Sequence, residues 1–202
     1  MTAGGEQTDR PGLTMAGEAV ALGPQHRGLA PLVQAWLNDF GVRAPLGLTL
    51  EPMAYEAAQR AYEDSEAPPD QIWFALYERA ALRPIGITGL RDIDHAHGVA
   101  EFVIFIGGRP DWGKGYGTEA ARLMLDYGFA ALGLRNVMLR VYSSNVRGIR
   151  AYTRAGFREV GQRRGAHRIG AREVDVVLMD CLASRCHSPI LRRILGSTPD
   201  QR

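Results

Sequence analysis

The chain has 202 residues, 46% of them hydrophobic and 23% charged, with a formal net charge of +2. That length suits one domain with a sizeable core, and a near-neutral balance without a dense Lys/Arg stripe argues against a nucleic-acid surface. Cys181 and Cys186 are too few for a disulfide framework and lack metal-ligand spacing, no apolar run reaches the roughly 18 residues of a membrane span, and the first residues hold no signal-like apolar stretch. The expectation is a cytoplasmic protein with no metal, no nucleic acid and no membrane among its partners.

Residues 1–17 are polar and Gly-rich and are expected to form a flexible arm ahead of one domain over 18–182. The run "AVALGP" reads as a strand. Leu29, Leu32, Val33 and Trp36 recur at helical spacing, and a second helix is expected from about Met53 to Asp64, before "APPD" breaks the chain. Three strand-like runs, "IWFALYE", "RPIGITGLRD" and "VAEFVIFIG", have short separators and predict an antiparallel meander. The segment "GGRPDWGKGYGTEA" follows. After it Ala121, Met124, Leu125, Phe129 and Leu132 share one helical face, with Gly133 as a C-cap. "NVMLRVYS" predicts a strand, "NVRGIRAYTRAG" a short helix ending on Gly156, and "FREVGQRRG" and "EVDVVLMD" a closing strand pair. Residues 183–202 read as a polar tail or short appended helix around "PILRRIL". The strand–helix–strand unit in the middle requires a parallel pair, inside a mostly antiparallel α/β sheet of about six or seven strands.

The glycine segment carries chemistry. Gly113, Gly115 and Gly117 remove Cβ atoms where a strand turns into a helix, so backbone N–H groups can converge on an anion at the helix N-terminus, and Thr118 adds a hydroxyl. A P-loop pattern is met from Gly108 to Lys114 but fails at Gly115, which has no hydroxyl for magnesium. A dinucleotide fingerprint fits Gly115, Gly117 and Ala120, yet the next strand ends "RVYSSN" without the acidic residue that holds a ribose. A coenzyme A pyrophosphate cradle is the third ligand reading, and a ligand-free structural loop is the fourth.

"DWGKGYGTEA" resembles motif A of the GCN5-related N-acetyltransferases (GNAT), with Gly115 and Gly117 on its glycines and Trp112 where an Arg or Gln is usual. Downstream, "SSNVRGIRAYTRAGF" resembles the same family's Asn-x-x-Ala-Ile-x-x-Tyr-x-x-x-Gly-Phe element. Asn145, Ile149, Tyr152, Gly156 and Phe157 match it, and Gly148 replaces the Ala. The stretch from Leu22 to Leu178 is similar to the branch of ribosomal-protein N-terminal and spermidine acetyltransferases. Asn145 is placed to cap its helix, with Tyr152 two turns later on the same side.

The resemblance implies a GNAT fold with a splayed parallel strand pair, acetyl-CoA as co-substrate and transfer of its acetyl group to a primary amine. The amine would belong to a protein N-terminus, a polyamine or an aminoglycoside-like molecule. It further implies that the backbone of Ile104, Phe105 and Ile106 pairs with the pantetheine arm, with an N–H near Phe105 on the thioester carbonyl. Trp112, Gly113, Lys114, Gly115, Tyr116, Gly117, Thr118 and Asn145 would hold the coenzyme, and Tyr152 would protonate the departing thiolate. Glu101 is the candidate base: it opens an apolar strand, shares a face with Val103 and Phe105, and would have its pKa raised by desolvation; the alternatives are a solvated strand-end charge at Glu101 and deprotonation through a water chain. Asp92, Asp94, His95 and His97 are either polar turn residues or part of an acceptor site. Trp36, Asn38 and Asp39 lie in a helix that walls the acceptor cleft in this fold. A non-catalytic acyl-CoA-binding regulatory module is the alternative, and a homodimer is left open.

Overall fold

A computed structural model of the chain describes residues 11–46, 51–63, 68–169, 171–186 and 191. The strands are β1 (Met15–Ala16), β2 (Val20–Pro24), β3 (Ile72–Glu78), β4 (Arg83–Asp94), β5 (Val99–Ile106), β6 (Asn136–Tyr142), β7 (Arg158–Ile169) and β8 (Arg172–Leu182). They form one eight-stranded sheet in the order β1-β2-β3-β4-β5-β6-β8-β7. The helices are α1 (Ala30–Asn38), α2 (Phe40–Arg43), α3 (Tyr55–Glu63), α4 (Tyr116–Asp126) and α5 (Val146–Ala155). All seven expected strands are present. The eighth, β1, lies in the stretch expected to be a flexible arm, where Met15 is buried and pairs with Leu22. Residues 1–10 of that arm lie outside the described residues.

Two apolar faces explain why the sheet is covered on both sides. Alternate residues point to opposite faces. On one face Phe74, Ile85, Leu90, Phe102, Val137 and Leu139 pack with Leu123 and Met124 of α4 and Phe157. On the other, Ala75, Tyr77 and Ile87 meet Leu29, Val33 and Leu37 of α1 and its lead-in turn. Trp36 sits edge-on to Phe105 at 6.2 Å and packs directly on Gly107, where any Cβ would collide with its ring. Asn38 clamps the approach to α3, accepting from the Met53 amide at 2.8 Å and donating to the Met53 carbonyl at 3.0 Å. The unforeseen helix α2 starts on Asp39, whose side chain accepts from the Gly41 amide at 2.7 Å.

One strand contact positions everything that follows. β5 and β6 run parallel and pair only over Val99–Asn136, Ala100–Val137 and Glu101–Met138. Beyond Glu101, β5 stays on β4 as far as Ile106 while β6 stays on β8 as far as Tyr142. The two strands therefore part, leaving a wedge that opens toward the N-terminus of α4. Among the described residues, no helix is long and apolar enough to cross a membrane.

Candidate active site

The wedge leads into a cleft of about 770 Å³. Its walls include Phe102, Ile104 and Ile106 of β5, Leu139 and Val141 of β6, the glycine loop, and Asn145 and Tyr152 of α5. The loop is held from below. Arg83 grips the buried Asp111 through two hydrogen bonds of 2.9 and 2.7 Å, which holds that carboxyl below the ordinary range. Trp112 donates its indole N–H to the Ile106 carbonyl at 2.9 Å. Gly113 and Gly115 both have positive φ, +79° and +87°, with open space where a Cβ would stand. Glycine is there for the backbone conformation and leaves the approach to the amides clear. No side chain caps α4 at Gly115, and the Thr118 and Glu119 amides turn back to the Gly115 carbonyl, which leaves the amides before them for an anion at the helix start. Those features fit the diphosphate of coenzyme A.

Two loop residues behave differently from expectation. Lys114 turns to Asp111 at 3.6 Å and is not among the cleft-lining residues. The Thr118 hydroxyl donates to the Ala151 carbonyl at 3.3 Å and ties α4 to α5, although Thr118 still lines the cleft. Tyr116 lines the cleft as expected.

The phase of β5 refines the pantetheine contacts. Gly107 donates to the Ile85 carbonyl, and Gly86 stands opposite Ile106. In an antiparallel ladder the amides then alternate. Phe105 turns its N–H and C=O toward β4, while those of Ile104 and Ile106 face the wedge. Trp112 confirms the phase by reaching the Ile106 carbonyl from that side. Of the three residues expected to offer backbone groups to the coenzyme, Phe105 is therefore excluded. Its ring instead forms part of the opposite wall.

Asn145 caps α5 by accepting from the Gly148 amide at 2.9 Å. A Cβ on residue 148 would approach the Asn145 side-chain nitrogen to 2.6 Å, so the Ala usual in the motif would require this Asn145 side chain to shift. Tyr152 packs edge-on to Phe102 at 6.1 Å and Phe157 at 6.2 Å. Its hydroxyl has no hydrogen-bond partner among the described residues. Burial pushes its pKa up to about 12, against a smaller opposing influence of Arg147. It is a protonated donor at the wedge.

Glu101 departs from expectation. Burial does push its carboxyl up and is the largest single influence, but hydrogen bonds from Arg140 and Arg91 outweigh it and the net shift is downward. Arg140 binds it through Nε at 2.9 Å and Nη2 at 2.6 Å, and Arg91 through Nη2 at 3.1 Å. A carboxylate held by two guanidiniums is a poor general base. Glu101 stands at the apex of the wedge, on the sheet face opposite Tyr152.

Asp94 closes the turn before β5 by accepting from the His97 amide at 2.9 Å and contacting its Nδ1 at 2.8 Å. Asp92, Asp94, His95 and His97 do not line the cleft. Sequence reasoning missed Arg147, whose guanidinium stacks 4.1 Å from the Trp112 ring centre. A cation in the first turn of a helix with no acid there opposes the helix dipole, and that was the available signal. It also missed Arg91 and Arg140. Among the described residues no group of three His, Cys, Asp or Glu side chains is arranged to hold a metal.

Residues 23–158 match the acetyltransferase (GNAT) domain family. The chain belongs to that family. Among curated relatives it is 30% identical over 109 residues to the uncharacterized N-acetyltransferase p20 of Bacillus licheniformis, covering 54% of this chain and 61% of that protein. It is 41% identical over 78 residues to the spermidine N(1)-acetyltransferase of Escherichia coli K12, covering 38% of this chain and 41% of that protein. The chain thus spans about half the length of these relatives. Among solved structures, the spermidine N-acetyltransferase from Vibrio cholerae in complex with CoA and spermine superposes with a TM-score of 0.76 over 83% of this chain and 97% of that one. At 24% identity that likeness shows the fold. The spermidine/spermine N-acetyltransferase SpeG from the same organism, solved with manganese ions, gives 0.69 at 25% identity over 89% and 97%. The GNAT fold, with its splayed parallel pair in a mostly antiparallel sheet, is the architecture described above.

Proposed function

We propose that this chain transfers the acetyl group of acetyl-CoA to a primary amine by direct attack. The observation that carries the reading is the wedge between β5 and β6, with the uncapped glycine turn at its mouth and the Tyr152 hydroxyl inside. The diphosphate would lie on the amides at the start of α4. The pantetheine arm would run along the wedge against the backbone groups of Ile104 and Ile106. The thioester would then reach the level of Tyr152.

The nitrogen lone pair of the neutral amine attacks the thioester carbon, and a C–N bond forms. The carbonyl oxygen takes up negative charge, and an N–H of the β5 edge is the donor on hand for it. Collapse breaks the C–S bond and the electron pair leaves on sulfur. Tyr152 gives its proton to that sulfur. The surplus proton of the new amide nitrogen passes to water in the open cleft, since Glu101 is committed to its arginines. Tyr152 regains a proton from water, and the atoms balance as amide plus free coenzyme A.

Spermidine is the acceptor named for the Escherichia coli relative and for the Vibrio cholerae structures. A protein N-terminus or an aminoglycoside-like amine suits the same chemistry. Tyr152 and Asn145 both line the cleft, which supports turnover over a regulatory module. Release of free thiol from acetyl-CoA across a panel of amines tests the proposal, alongside thermal-shift titrations with acetyl-CoA, ATP and NAD. Stabilisation by acetyl-CoA with thiol release supports it. No stabilisation by acetyl-CoA refutes the assignment of the glycine turn.

A further inference from the structure

The acceptor side of the cleft has a charge pattern that constrains what enters it. Only two acidic side chains line the whole cleft among the described residues, Glu101 and Asp111. Both are consumed. Asp111 is gripped by Arg83 and faces Lys114. Glu101 is gripped by Arg140 and Arg91. Asp39, beside the mouth, accepts from Gly41 and faces Arg109 at 3.9 Å. Asp92 lies 3.9 Å from Arg91 in the bulge of β4, two-thirds exposed and outside the cleft.

The cations are not consumed in the same way. Arg91 and Arg140 face two carboxylates, Glu101 and the two-thirds exposed Asp92, so their charge is balanced while several of their nitrogens are not hydrogen-bonded. No described residue accepts from Nη1 of either one, and the Arg91 Nε is buried without a hydrogen-bond partner. Their side chains remain 38% and 48% exposed, and both line the cleft. His167, 5.3 Å from the Tyr142 ring, also lines the cleft. The α5 arginines Arg147, Arg150 and Arg154 line the cleft with Asn145, on the side where the coenzyme phosphates would lie. Among the described residues, a polycation entering the cleft meets no carboxylate that is free of a guanidinium partner, and at least two guanidiniums.

The rest of the acceptor wall is apolar: Leu37, Val42, Pro45, Leu46, Trp73 and Phe105. We infer that the acceptor is a small amine with an apolar body that also carries a carboxylate, bound by the free nitrogens of Arg91 and Arg140. This rests on the acetyltransferase reading above. Guanidinium nitrogens suit a carboxylate geometrically, and the apex position of Glu101 puts this pair beside the wedge.

The test uses pairs of amines that differ only by the carboxylate: phenylalanine against phenethylamine, and leucine against isoamylamine, with spermidine as the polycation. Thiol release from acetyl-CoA gives kcat/KM for each. The inference expects each amino acid to exceed its decarboxylated partner by about tenfold or more, the effect of one charged hydrogen bond, with spermidine below both. Arg91→Gln and Arg140→Gln should each collapse the ratio toward one, mainly through KM. Equal rates within each pair, or a preference for spermidine, would overturn the inference while leaving the acetyltransferase reading intact. Should no amine release thiol, thermal shift of the coenzyme A-saturated protein decides. Stabilisation by phenylalanine and not by phenethylamine supports the inference, and the absence of that difference overturns it. Failure of acetyl-CoA itself to stabilise the protein would instead sink the reading beneath.

Discussion

The guanidinium of Arg147 lies 4.1 Å from the centre of the Trp112 ring, joining the first turn of α5 to the loop that opens α4. Trp112 is itself pinned to the Ile106 carbonyl. The stack holds a cation above a site built for an anion, at the position where the GNAT motif more often has Arg or Gln. Arg147→Ala is expected to weaken acetyl-CoA binding by about tenfold at low salt, with the loss shrinking as salt screens it. In a double-mutant cycle with Trp112→Ala, calorimetric affinities should show a coupling of about 0.5–1 kcal/mol. Strict additivity would mean that the two side chains act separately.

Tyr152 offers a kinetic and a pH signature. Its hydroxyl is unpartnered among the described residues, so Tyr152→Phe removes a proton donor and little else. The expected loss in kcat is about 10²–10⁴-fold, with acetyl-CoA affinity unchanged. Because burial raises its pKa to about 12, the phenol stays protonated where an ordinary tyrosine, at 10.0, would be half ionised. A kcat–pH profile should therefore show no falling limb up to about pH 10. A fall with a midpoint near an unshifted phenol would remove Tyr152 from the acid role.

What the sequence disclosed divides along physical lines. Elements with a local signature were legible: β3, β4 and β5 from their apolar runs, α5 from the Asn145 cap and the terminating Gly156, and the start of α4 from its periodicity, although the α-helix ends at Asp126 and Tyr127–Ala131, with Phe129, continue as a π-helical turn. What escaped depends on register. β1 exists because Met15 finds the edge of β2. The direction of the Phe105 amide depends on the phase set by the β4–β5 hairpin, whose pairing shifts between Arg91 and Asp94. Glu101 looked like a base with a raised pKa because desolvation was the one influence visible along the chain. Its partners come from 10 and 39 residues away, and only the pairing of β4, β5 and β6 brings them to it.

That cluster makes Glu101 a stability residue. Its folded-state pKa is below the ordinary 4.5, so it stabilises the fold above that pH, and the contribution is lost as pH falls through the folded value. Glu101→Gln should cost about 1–3 kcal/mol at about pH 7, less than a fully buried pair because both arginines are half exposed. The gap between wild type and variant should close on acidification below about pH 4. Urea melts across that range measure it. Equal midpoints at neutral pH would show that the arginines do not depend on this carboxylate.

Leu191 also has an anchor. The Leu191 amide donates to Asp126 Oδ2 at 2.8 Å, and the Leu191 side chain is buried among the residues packed around α4. Asp126 closes α4, eleven residues from the end that faces the cleft. At about 1.5 Å per residue, Leu191 sits roughly 15 Å from the glycine turn, so at this residue the tail braces the core and does not cover the cleft. Leu191→Ala should destabilise the protein by about 2–3 kcal/mol through lost burial and the cavity left behind. Asp126→Ala should cost about 1–3 kcal/mol by stranding a buried amide. Because both act on one contact, the double variant should fall short of the sum. Acetyl-CoA affinity should be unaffected in all three. Thermal melts with and without acetyl-CoA measure both quantities, and a variant that keeps its Tm but loses coenzyme affinity would place this segment at the cleft after all.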